Sequence, residues 1–194
     1  MSQLGMFQLT EIDQKLLLQI ARNSVLAHLT GQNPDLPEIL PGVLTEFRGT
    51  FVSIHKHREL RGCIGNLYPA GPLYQSISEC SISAATRDPR FPCLAAEELS
   101  EVDFEISVLS PMRRVEDIAE IEIGKHGLLI SKRSRRGLLL PQVAAAFGWD
   151  RATFLQETCR KAGLKPDDWK MDAAIHCFSA VVFGERQFHS TAAS

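Results

Sequence analysis

The apolar positions divide the chain into stretches of two periods. Between Thr10 and Gly31, Ile12, Leu16, Leu17, Ile20, Ala21, Val25 and Leu29 recur at helical spacing. With Thr10 as N-cap and Asp13 in the first turn, they predict a helix ending near Gly31. Pro34, Pro37 and Pro41 make 32–42 an exposed connector, because proline lacks a backbone donor and fixes φ. From Gly49 to Gly65 two β-rich runs flank His57-Arg58-Glu59, the pattern of a hairpin. A helix is predicted over 72–87, burying Leu73, Ile77, Cys80, Ile82 and Ala84 and stopping before Asp88-Pro89.

Val102, Phe104, Ile106 and Val108 alternate with Asp103, Glu105 and Ser107, a half-buried strand ending at Pro111 with its partner expected close by. A second β-rich region, 121–130, is broken by Gly124 and Gly127. It leads through the basic turn 132–136 into the apolar 137–140. Pro141 fits the first turn of a short helix through Phe147. Asp150 caps another, with Phe154, Leu155, Thr158, Cys159 and Ala162 on one face and Gly163 at its stop. Residues 174–183 read as a final strand. Without regular βαβ spacing, the order predicts an α+β fold of largely antiparallel or mixed sheets with flanking helices.

The 194 residues suit one compact domain or two small interlocked ones. We expect a single domain over 8–188, a smaller subdomain formed around 45–90, and flexible ends at 1–7 and 189–194. Hydrophobic residues at 44% and charged residues at 23% are proportions of an ordinary soluble protein. A net charge of −2 excludes bulk attraction to nucleic acid but leaves a local patch open. No apolar run reaches the roughly 20 residues that span a bilayer, and the first residues lack a signal-peptide pattern, so a cytoplasmic location without membrane association is expected. Five cysteines, with no CxxC pair, argue against a disulfide framework or zinc ribbon.

The densest chemical signal is Leu60-Arg61-Gly62-Cys63-Ile64-Gly65. Strand alternation puts Arg61 and Cys63 on one face, and a neighbouring cation favours the nucleophilic thiolate. On the preceding run Val52 and Ile54 form the apolar face, leaving Phe51, Ser53, His55 and His57 on the other. Matching the apolar faces sets Cys63 on the side of Ser53 and His55, and a three-residue loop would place His55 directly opposite it. Cysteine and histidine in reach are the minimum for nucleophilic catalysis. The alternative, a small buried cysteine where backbones pack closely, fits the flanking glycines equally.

His126, before Gly127, is a second candidate base or a loop histidine held structurally. In Asp88-Pro89-Arg90 the arginine either anchors substrate or fixes the loop as an ion pair. Asp103 and Glu105 line either a cleft or a solvated face. His55, His57 and Cys63 lack the further ligands a metal set needs, so neither metal nor cofactor is predicted. Cys80, Cys159 and Cys177 read as core. Lys132, Arg133, Arg135 and Arg136 form a solvated hairpin tip or an RNA or phosphate contact. No P-loop, GxGxxG or GxSxG motif occurs.

The hexapeptide from Leu60 to Gly65 resembles the signature of the AMMECR family, named for Alport syndrome, midface hypoplasia and elliptocytosis. Its prokaryotic branch is called AmmeMemoRadiSam system protein A. The resemblance continues through Asp88-Pro89-Arg90-Phe91-Pro92, Ile106-Ser107-Val108-Leu109, Gly124-Lys125-His126-Gly127-Leu128, Leu140-Pro141-Gln142-Val143 and Gly148-Trp149-Asp150. It implies an α+β fold of two interlocked subdomains, but no reaction. It also implies a Memo-like protein and a radical SAM protein as partners, and for animal relatives roles in transcription, repair or translation. Arg61, Gly62, Cys63 and Gly65 match the signature, Asp88 and Arg90 the loop motif, and His126 the glycine-rich motif. Two expectations follow. In the first, Cys63 is a thiolate nucleophile or carrier for a small molecule, with Arg61 lowering its pKa or binding an anion, His126 or His55 as base, and Arg90 as anchor. In the second, the chain is a noncatalytic partner or an RNA-associated adaptor.

Overall fold

In the computed structural model, which describes residues 8–69 and 71–189, helix α1 (Glu11–Thr30) starts at a reciprocal cap. The Thr10 hydroxyl accepts from Asp13 N while the Asp13 carboxylate accepts from Thr10 N, so two orphan donors are satisfied. Gly31, with φ of 70°, ends the helix. The expected flexible ends, 1–7 and 189–194, lie outside the described residues apart from the backbone of His189. Ile12, expected on the buried face, is 78% exposed, because the first turn projects past the core that Leu17, Ile20 and Val25 enter.

The described chain forms two compact units. One takes the residues up to Val108 together with those from Val181 on, and the other is Leu109–Ala180. Residues 45–90 fall within the first. Its sheet comprises β1 (Thr50–Lys56), β2 (Glu59–Asn66), β3 (Val102–Leu109) and β8 (Ala180–Gly184), in the order β2-β1-β3-β8. Helix α2 (Leu73–Thr86) packs on β1 and β2, and α1 on α2. Val52, Ile54, Phe104 and Ile106 pack with Leu17, Ile20, Leu73 and Ile77 to form the core on the helical side. At full burial each such side chain contributes about 2 kcal/mol, so this side of the sheet is fixed. Residues 51, 53, 55, 63, 103 and 105 are left on the opposite face.

The second unit holds β4 (Arg113–Arg114), β5 (Gly127–Lys132), β6 (Arg135–Leu139) and β7 (Ala174–Phe178) in the order β4-β7-β5-β6. Its helices are α3 (Pro141–Ala146), opened by Pro141, and α4 (Arg151–Lys161), capped by Asp150 as expected. Leu128, Ile130, Phe154, Leu155 and Cys159 lead its core. The final helix, α5 (Glu185–His189), belongs to the first unit.

Two expectations about strands are corrected. The partner of β3 is not close by in sequence: it pairs with β1 and β8. The single strand over 174–183 is two strands in different sheets, separated at Ser179, whose N–H and C=O are both taken by Ser110. Between Ile121 and Gly127 the chain is a turn, with the Gly124 φ at 82°.

Candidate functional site

The hairpin turns tighter than its sequence suggests. Lys56 pairs with Glu59, so the turn has two central residues, His57 and Arg58, both at positive φ (52° and 72°). That conformation matches the twist of antiparallel strands. The register then shifts between Ile54 and His55: Ile54 faces Gly62, His55 faces Leu60, and Arg61 is the extra residue of a bulge. His55 is therefore not opposite Cys63. Ser53 is, and its hydroxyl donates to the Cys63 sulfur at 3.2 Å. The side of the sheet expected for Cys63 is nevertheless the one observed, because the bulge lies beyond the Val52, Ile54, Gly62 and Ile64 pattern. Leu60 loses that parity and is 40% exposed.

Across β1 the row continues. Ser53 faces Glu105 and His55 faces Asp103 on β3, so Cys63, Ser53 and Glu105 stand side by side on three strands. All three are half-buried.

Because β2 is an edge strand, Cys63 has backbone groups with no partner strand, and the loop after α2 supplies substitutes. The buried Asp88 carboxylate accepts from Cys63 N at 2.9 Å, and Arg90 Nη2 donates to Cys63 O at 3.4 Å. Arg90 also grips Asp88 at 2.6 and 2.9 Å, which, with the Cys63 N–H, holds that carboxyl well below the usual carboxylate range. The ion pair thus fixes the loop and seats the Arg90 guanidinium against the Cys63 backbone.

Arg61 serves the same loop. It donates to Pro92 O at 2.8 Å and to Cys93 O at 3.4 Å, and meets Glu98 at 3.1 Å. The Ala95 N–H, then Arg61 and Lys56, lower the Glu98 carboxyl to about 2. Gly62 and Gly65 are close approaches. A Cβ at Gly62 would sit 2.2 Å from Ala84 O, and one at Gly65 2.1 Å from the Phe51 ring.

The AMMECR1 family model matches residues 18–183. This chain belongs to the AMMECR1 family. A protein of Methanothermobacter thermautotrophicus is 44% identical over 185 residues, covering 91% of this chain and 96% of that relative. One from Methanosarcina acetivorans is 40% identical over 190 residues, covering 92% and 94%. The crystal structure of the uncharacterized protein PH0010 from Pyrococcus horikoshii is similar at a TM-score of 0.84 and 36% identity, covering 92% of this chain and 94% of that one. The α+β fold expected from the resemblance is the one observed.

His126 lies in the second unit, where its Nδ1 accepts from Glu122 N at 3.1 Å and burial pushes its pKa down. Its free imidazole form is thus the favoured one. In the basic cluster Lys132 is tied to Asp168 and Asp172 at 2.9 and 3.4 Å, and Arg135 donates to Gly163 O. All five cysteines are free. Burial raises the thiols of Cys80, to about 11, and of Cys159 and Cys177, while Cys93 is exposed. Among the described residues no group of three or more His, Cys, Asp or Glu could hold a metal ion. No helix among them is long and apolar enough to cross a membrane.

Sequence reasoning missed the donor role of Ser53 and the Glu98 partner of Arg61. Parity did place Ser53 on the right face, but a turn without glycine or asparagine gave no signal of its length.

Proposed function

We propose that this AMMECR1-family protein works through the Cys63 sulfur, carrying or transferring an electrophilic small molecule in the cytoplasm alongside a Memo-like protein and a radical SAM enzyme. One observation carries this reading. In the signature strand Arg61, Gly62 and Gly65 are each accounted for by packing or loop attachment, whereas the Cys63 side chain stays half-buried beneath a hydroxyl donor. The contact fixes the sulfur beside a hydroxyl, and the thiolate is the form of a cysteine that acts as nucleophile. The thiolate attacks the electrophilic carbon, a C–S bond forms, and the leaving group departs with its electron pair. The thiol proton goes to His55, on the same face, and Arg90 anchors an anionic group. Arg61 holds the loop that carries Arg90.

The test is alkylation by iodoacetamide followed by mass spectrometry across pH, with exposed Cys93 as the internal reference. Cys63 is expected to react faster than Cys93 near pH 7. A rate no faster than that of Cys93, or an inert Cys63 in the native protein, would refute the reading. In that event the noncatalytic alternative predicts that Cys63→Ser retains the protein's associations.

A further inference from the structure

On the face that carries the Cys63 row, a cavity of about 170 Å³ lies against His55, Asp103 and Glu105. It is walled by Arg58 from the hairpin turn and by Gly184 and Arg186 at the end of β8 and the start of α5. Its volume suits a molecule of roughly the size of benzene.

The charges around it are unequally engaged. Asp103 is paired with Arg186 at 2.6 Å. The Glu185 carboxylate accepts from Arg22 at 2.7 Å and from Phe104 N at 2.8 Å. The side chains of His55, Arg58 and Glu105 have no hydrogen bond or ion pair among the described residues. One carboxylate and one guanidinium therefore line the same small space uncompensated, with an imidazole between them along the strand. Glu105 faces Ser53, the residue that faces Cys63, whereas Arg58 stands at the turn. Gly184 keeps the wall thin, since a Cβ there would come within 3.2 Å of Phe104 O and 3.6 Å of the Glu105 Cβ.

We infer that this cavity binds a small zwitterion, of the size of a free amino acid with a short side chain. Its ammonium rests on Glu105 and its carboxylate on Arg58 and His55. Opposite charges at the two ends select against molecules bearing only one of them, because a lone charge leaves its counterpart uncompensated in the cavity. The inference goes beyond the thiol reading and does not rest on it, since an unactivated amino acid offers the Cys63 sulfur no leaving group and the cavity meets the Cys63 row only at Glu105.

The test is a titration followed by NMR with glycine, L-alanine, L-serine and 4-aminobutyrate, set against propionate and ethylamine as single-charge analogues. At least one zwitterion should bind tenfold or more tightly than both analogues. Glu105→Gln and Arg58→Gln, at half-buried and exposed positions where folding is retained, should each weaken it at least tenfold. Cys63→Ser should leave it unchanged. The inference is overturned if no zwitterion binds, if propionate or ethylamine binds as well, or if both charge variants bind like the wild type. Zwitterion binding with an inert Cys63 would keep the cavity and remove the thiol reading; fast Cys63 alkylation without such binding would do the reverse.

Discussion

Ser53 and Cys63 face each other across β1 and β2, with the serine hydroxyl donating to the sulfur at 3.2 Å. This relationship separates the thiol from the three buried cysteines, and it depends on one oxygen. Ser53→Ala is expected to slow alkylation of Cys63 at pH 7 by about fivefold, the equivalent of a hydrogen bond worth about 1 kcal/mol. Cys93, far along the chain on an exposed loop, should keep its rate. Mass spectrometry of both peptides checks the contrast in one sample.

Arg61 acts on stability. Arg61→Ala removes charged donors from two loop carbonyls and leaves the Glu98 carboxylate without its guanidinium. Urea unfolding should show a loss of about 2 to 3 kcal/mol. The alkylation rate of Cys63 in the folded fraction should stay within about twofold of wild type. Arg61→Lys should recover less than half of the stability, because one ammonium cannot reproduce the fork.

The two signature glycines differ in what they meet. Gly62 faces backbone, the Ala84 carbonyl, so Gly62→Ala should cost about 3 kcal/mol or more with no side-chain change able to relieve it. Gly65 faces the Phe51 ring, which a smaller side chain would withdraw. Phe51→Ala should therefore restore most of the stability lost in Gly65→Ala and none of that lost in Gly62→Ala. A double-mutant cycle of thermal unfolding measures this coupling.

Acid should weaken the loop attachment. Asp88 and Glu98 are held below their ordinary values of 3.8 and 4.5, so folding favours their charged forms. The stability they contribute is complete above about pH 5 and is lost as the pH falls through the lowered values, about 2 for Glu98. The gap in stability between wild type and Asp88→Asn should be wide at pH 7 and narrower at pH 3, as read by urea midpoints. A gap that stayed constant over this range would contradict the assignment.

The local signals were legible because each acts within one helical turn: Thr10 with Asp13, Gly31, Pro141 and Asp150 all do in the structure what their positions predict. The face of Cys63 was legible as well, since the alternation of Val52 and Ile54 decides it. The bulge was not, because only the fit of Gly62 against Ala84 O and the reach of Arg61 to Glu98, 37 residues on, require it. Nor was the break at Ser179, because the apolar run through Ala180, Val181, Val182 and Phe183 reads as one strand whichever sheet receives it. For the site, sequence named the cysteine and missed its hydroxyl neighbour. That pairing depends on register, which a two-residue turn without glycine or asparagine does not announce.

The placement of β8 has a consequence for how the chain matures. It supplies the far margin of the first sheet beside β3, yet residues 109–179 are all synthesised before it. On the ribosome β3 keeps an open flank while the contiguous second unit emerges. Until β8 emerges, that waiting flank is where a nascent chain would recruit a foreign strand.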